Sequence, residues 1–138
     1  MDAKIYLRQI RRIEILIDNK QKEIDALRSK LICSGTSFEE KVQTSKTNNR
    51  EKNLLALLEY QHELNETIDS LIDIKREVSN VIDQLENPEA IDILYKRYFQ
   101  FMKWEDIAFL KGYTMQGIHK LHAKALKDIQ SILSCITK

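Results

Sequence analysis

Residues 104–126 read WEDIAFLKGYTMQGIHKLHAKAL, a helical pattern interrupted at Gly112 and resumed at once. Before the glycine, Trp104, Ile107, Ala108 and Leu110 recur at helical spacing; after it Ile118, Leu121, Ala125, Leu126, Ile129 and Leu133 do the same. Gly112 stands where a short helix has to end on a residue that accepts positive φ. Thr114 stands where a side-chain oxygen caps the helix opening at Met115. Ala108 is small enough to let another helix cross closely. A short helix, a glycine turn and a capped second helix make the helix-turn-helix layout, in which the second helix lies in the DNA major groove.

Upstream, Asn87-Pro88-Glu89 is a strong helix start: asparagine caps, proline fits the first helical position, and an acid in the first turn suits the dipole. Ile91, Leu94, Tyr95, Tyr98 and Phe99 give that helix an apolar face, and it is expected to end near Phe101 to Lys103. Residues 87–138 are thus expected to form a three-helix module. Further toward the N-terminus, Tyr6, Ile10, Ile13, Ile17, Lys20, Ile24, Leu27 and Leu31 are spaced alternately by 4 and 3, the seam of a coiled coil. Leu57, Gln61, Leu64, Ile68, Leu71, Lys75, Val78, Ile82 and Leu85 repeat the pattern, with Leu54, Leu58 and Ile72 widening the stripe. Such helices would be roughly 45 and 50 Å long, well beyond the globular average of about 11 or 12 residues, and neither buries its stripe alone.

The stretch SGTSFEEKVQTSKTNN, at about 34–50, reads as a polar connector in which Ser37 and Glu40 can cap one short turn. The expected fold is all-α: residues 1–86 form a long antiparallel, coiled-coil-like helical hairpin, and residues 87–138 form the helix-turn-helix module. Lys20 and Lys75 fall in the seams, where their ammonium groups are expected to snorkel to water in preference to fixing register.

With 31% charged and 43% hydrophobic residues, one proline and three glycines, the 138-residue chain has the composition of long helices. Its net charge of +1 is unevenly spread: residues 1–86 carry 14 basic and 16 acidic side chains, residues 87–138 carry 8 and 5. Cys33 and Cys135 lack zinc-ligand spacing and are expected as reduced cytosolic thiols. No apolar run approaches the roughly 18 residues of a membrane span, so no membrane partner and a cytoplasmic location are expected. His119 and His122 are three apart, but no acid or cysteine completes a metal site on that face. Neither a phosphate loop nor a nucleophile with an evident base is present, and no enzyme activity, cofactor or metal is expected.

The spelling of residues 91–130 resembles region 4 of the sigma-70 class of RNA polymerase factors. The resemblance lies in Leu94, Arg97 and Tyr98, in Trp104, Ile107 and Ala108, in Gly112-Tyr113-Thr114, and in the Ala125-Leu126 ending. With the charged helical first half and the VQTS connector (Val42 to Ser45), the chain is similar to small phage and prophage proteins that carry a sigma-like region 4 domain. That resemblance implies a DNA-binding transcriptional regulator working with RNA polymerase in a bacterial host cell. Two positions depart from the family's pattern. Lys103 stands where the family has a Ser or Thr cap, and Gly117 lies in the first turn of the recognition helix.

If Ile118, Leu121, Ala125 and Leu126 face inward, Met115, Gln116, Gly117, His119, Lys120, Ala123 and Lys124 are left outward. Gln116 suits adenine, His119 and Lys120 suit guanine acceptors or phosphates, and Lys111, Lys124 and Lys127 suit the backbone. Thr114, at the cap, completes the expected DNA-binding set. Residues 111–127 hold four lysines and no acid. Lysines on a helix are more often a solvated face, so the motif and not the charge carries this expectation. Lys4, Arg8, Arg11 and Arg12 are read as solvated helix surface in preference to a second phosphate-contacting patch.

The expected partners are double-stranded DNA, RNA polymerase, and a second copy, as a homodimer or other homo-oligomer through the hairpin. Two other readings stand beside this one. A small terminase-like DNA-packaging subunit also joins a helix-turn-helix to an oligomerising coil, and a helical protein–protein adaptor would use the same parts without DNA.

Overall fold

The computed structural model describes residues 2–35 and 44–136, with side chains described outside 33–48. Every element among them is helical: α1 Ala3–Gly35, α2 Thr44–Ile82, α3 Pro88–Leu94 continued by a π turn at Tyr95–Phe99, α4 Trp104–Lys111 and α5 Met115–Ile136. Helix α2 starts inside the stretch expected as connector, so Thr44 and Ser45 of the VQTS segment are helical. The Ser37–Glu40 cap lies outside the described residues.

The chain forms two compact units, residues 1–13 with 71–138, and residues 14–70. This differs from a division at residue 86. Leu7 and Ile10 are fully buried and Ala3 and Tyr6 nearly so, as are Val78, Val81 and Ile82, all in the same unit as α3 to α5. The Ala3 amide donates to Oε1 of Gln130 on α5 at 2.8 Å, giving a partner to one of the orphan donors at the start of α1. Arginines surround these apolar positions in the sequence, which is why the segment reads as ordinary coil seam.

In the other unit, Ile24, Leu57 and Leu64 are buried together, with Ile17, Leu27, Leu31 and Ile68 packed against them. These are seam positions of both repeats. Lys20 lies at the edge of that seam, its Nζ 3.3 Å from Glu63 on α2. Leu54 and Leu58, expected to widen the α2 stripe, are instead about half exposed, at 49% and 54%, as is Ile72 of the first unit, at 50%. A two-helix seam covers only a narrow stripe, and flanking positions find no second layer.

At α3, the Asn87 side chain accepts from the Glu89 amide at 3.0 Å, with Pro88 in the first turn. The regular ladder then gives way to a π turn, in which the Gln100 amide reaches the Tyr95 carbonyl at 3.1 Å. This helix therefore ends at Phe99, slightly earlier than expected. Its aromatic residues are anchored: Tyr95 donates to Asp83 at 2.9 Å, its ring centroid is 4.7 Å from that of Phe99, and Tyr98 is buried.

Candidate nucleic-acid interface

Helix α4 opens after Lys103, which makes no side-chain cap bond, and closes on Gly112 at φ 75° and ψ 25°. The Tyr113 amide reaches back to the Ala108 carbonyl at 2.9 Å, which satisfies an orphan acceptor at the helix end. Nothing lies within 4 Å of where a Gly112 Cβ would stand, so the requirement for glycine comes from the backbone angle alone. Two residues later, Thr114 Oγ1 accepts from the Gly117 amide at 3.0 Å, and α5 begins at Met115. The expected cap and turn are therefore present.

Ile107, Ala108 and Ile118 are buried with Ile93, and Met102, Trp104, Tyr113 and Leu121 pack around them. This cluster fixes the rotation of α5. With Ile118, Ala125, Ile129 and Leu133 inward, Met115, Gln116, His119, Lys120, Ala123, Lys124 and Lys127 are exposed, as is Thr114 in the preceding turn. Leu121 and Leu126 are half-buried. Leu110, expected on the apolar face of α4, is instead 62% exposed, and neighbouring Phe109 is 89% exposed.

Gly117 is half-buried, and a Cβ there would stand 3.1 Å from Thr114 Oγ1. Its place in the first turn thus has a local reason: the capping hydroxyl occupies the space a side chain would crowd.

Lys111 differs from the other lysines of the set. Its ammonium contacts Asp92 and lies 3.0 Å from Glu89, both on α3, and its side chain is only 15% exposed. The Asp92 and Glu89 carboxylates raise its pKa, and Lys111 holds both carboxylates below their usual range. Tyr113 donates to the same Glu89 at 3.2 Å. Lys111 therefore ties the turn to α3, and its charge is already compensated, contrary to the expectation of backbone attraction. A lysine's partner 19 residues away carries no local signal in the sequence.

The aromatic support of α5 also went beyond what the sequence indicated. His122, which the sequence singles out only as a metal-ligand partner of His119, is 8% exposed, and its Nε2 lies 2.8 Å from the Tyr98 hydroxyl. Burial is the main reason its pKa falls to about 4, with Lys4, Arg97, His119 and Arg8 adding repulsion. The ring of Trp104 lies 4.3 Å from that of His122 and 5.9 Å from that of His119. Arg97 stacks over Trp104, 5.1 Å from its centroid, and donates to the Met102 carbonyl at 2.9 Å. Trp104 is thus a core residue that also touches the base of an outward histidine. Among the described residues no cluster of His, Cys, Asp or Glu suits a metal ion, and Cys135 carries a free, exposed thiol. None of the described helices is long and apolar enough to cross a membrane.

The family model that matches the chain, over residues 31–130, is described as a protein of unknown function, DUF1492. No curated protein and no solved structure matches it.

Proposed function

This chain belongs to the DUF1492 family, and we propose that it is a sequence-specific DNA-binding regulator of phage or prophage transcription. In this reading α4 and α5 act as a helix-turn-helix, α5 enters the major groove, and α1 with α2 forms an antiparallel hairpin that brings in a second copy or RNA polymerase. One observation carries it: α5 keeps Ile118 and Ala125 buried while its first two turns expose Gln116, His119 and Lys120. Those three side chains have the donors and acceptors that major-groove edges require. Lys124 and Lys127, one and two turns on, are exposed for phosphates. A single module of this size touches only a few base pairs, so useful specificity calls for two modules or a polymerase partner.

The test is recovery of phage and host genomic fragments on the purified protein, repeated with Gln116, His119 and Lys120 all changed to alanine. Enrichment of a promoter-proximal site that the triple variant loses supports the regulator. Enrichment at a packaging site would replace it with the terminase-like subunit. Absence of enrichment at low salt would leave the protein–protein adaptor.

A further inference from the structure

The first turns of α1 share a compact unit with α3 to α5, and this gives their cations a neighbourhood that the linear sequence does not show. Ala3, Tyr6, Leu7 and Ile10 form the buried stripe of this segment. Lys4, Arg8 and Arg11 follow one another at spacings of 4 and 3, so they share one side of the helix, and all three are exposed. From Lys4 to Arg11 the row extends about 10 Å along the helix axis. Among residues 1–13 the only acid is Asp2, against four basic side chains.

Contacts at both ends place this row along α5 and the loop before α4: next to Lys4, the Ala3 amide donates to Gln130 of α5 at 2.8 Å. The Arg11 guanidinium lies over the ring of Phe101, 4.7 Å from its centroid, in the loop that leads into α4. That loop is also held by Arg97, which stacks on Trp104, which in turn touches His119. Lys4 and Arg8 are close enough to His122 to repel a proton there, together with Arg97 and His119. The unit containing these residues holds 14 basic and 10 acidic side chains, whereas residues 14–70 hold 8 and 11. The positive excess thus resides in one unit and includes the far end of the chain.

We infer that the N-terminal row Lys4, Arg8 and Arg11 is a second part of the DNA interface, taking backbone phosphates beside the groove that α5 enters. This rests on the reading of α5 as the groove helix. A duplex presents one phosphate about every 3.4 Å per strand, so a 10 Å row of cations spans several of them. Contacts of this kind position the protein and carry no sequence information. They supply affinity that falls with salt, and they leave the preference between sequences to Gln116, His119 and Lys120.

The test is fluorescence anisotropy of the full chain on a 30-base-pair duplex over a range of sodium chloride concentrations. Lys4→Gln/Arg8→Gln/Arg11→Gln is expected to reduce the slope of log affinity against log salt by about 2 to 3, while the ratio of affinities between two sequences stays unchanged. Lys4→Gln/Arg8→Gln, which spares the Arg11 contact with Phe101, should reduce it by about 2. Arg8→Lys/Arg11→Lys keeps the charge and should keep the slope. A wild-type slope in both glutamine variants, with circular dichroism unchanged, overturns the inference and leaves α5 as the sole interface. No salt-dependent affinity in the wild-type chain overturns both this inference and the groove reading of α5.

Discussion

The Tyr98 hydroxyl lies 2.8 Å from Nε2 of His122, joining the π turn to the buried side of α5. Burial and the surrounding Lys4, Arg97, His119 and Arg8 disfavour the imidazolium, so the folded chain binds this proton less readily than the unfolded one. The contribution is complete above the ordinary histidine value of 6.5 and is lost as the pH falls toward about 4. Within that window stability should drop by up to about 1.4 kcal/mol per pH unit. Urea unfolding at pH 7.5 and pH 5.0 checks this, with His122→Gln expected to flatten the difference. An equal loss in the variant would assign the pH effect to other groups.

Gly112→Ala should destabilise by about 1 kcal/mol, because the left-handed backbone at φ 75° disfavours any Cβ although the space is open. Thr114→Ala should cost a similar amount, about 1 kcal/mol, through the lost cap on α5. Gly117→Ala is the informative partner. Alanine normally gains about 1 kcal/mol over a helical glycine, but here its Cβ would crowd Thr114 Oγ1 at 3.1 Å. The substitution should therefore be near neutral alone and stabilising in the Thr114→Ala background, a coupling that thermal melts of the four proteins would read out.

Lys111 and Lys124 should respond oppositely in two measurements. Lys111→Met removes the counter-ion shared by Asp92 and Glu89 and should lower unfolding stability by about 1 to 2 kcal/mol. Exposed Lys124→Met should change stability by less than about 0.5 kcal/mol. In DNA titrations the order inverts: Lys124→Met lowers the salt slope by about 1, and Lys111→Met leaves it in place. A lost slope in Lys111→Met would mean that its ammonium leaves the carboxylates for phosphate.

Within residues 14–70 the narrow seam makes a sharp contrast between an apolar residue inside it and one on its flank. Ile24→Ala should cost about 2 to 4 kcal/mol, since its side chain is 1% exposed among Leu57 and Leu64. Leu58→Gln, at a position 54% exposed, should cost the isolated chain less than about 0.5 kcal/mol. Denaturant midpoints measured at low and high protein concentration decide the point. A large, concentration-dependent loss for Leu58→Gln would indicate that a second copy covers it.

Residue spacing made much of this legible. The alternation of 4 and 3 located the buried Tyr6, Ile10, Ile24, Leu57, Leu64, Leu71, Val78 and Ile82 because a helix seam is a one-dimensional pattern. Asn87, Gly112 and Thr114 were legible because caps and left-handed turns depend on one residue and its near neighbours. Pairings across distant segments were not. The compensation of Lys111 by Asp92, the burial of His122 against Tyr98, and the docking of residues 1–13 with α5 depend on which helices meet. Leu110 failed the helical-face rule for a related reason: a helix of eight residues packs on one side only, and hydrophobicity alone does not name the side.

The π turn at Tyr95–Phe99 makes chain length itself a constraint. A π turn absorbs one residue more than the α ladder it interrupts, so the helix on either side keeps its angular phase. Deleting a single amino acid between Tyr95 and Phe99 would let the segment relax into ordinary α-helix. The side chains inside the turn would then be displaced by up to about 100°, one α-helical step, while those beyond it kept their phase. Arg97 and Tyr98 lie inside the turn, so their contacts with Trp104 and His122 are the ones disturbed. Chain length across these five positions is therefore tied to those two contacts.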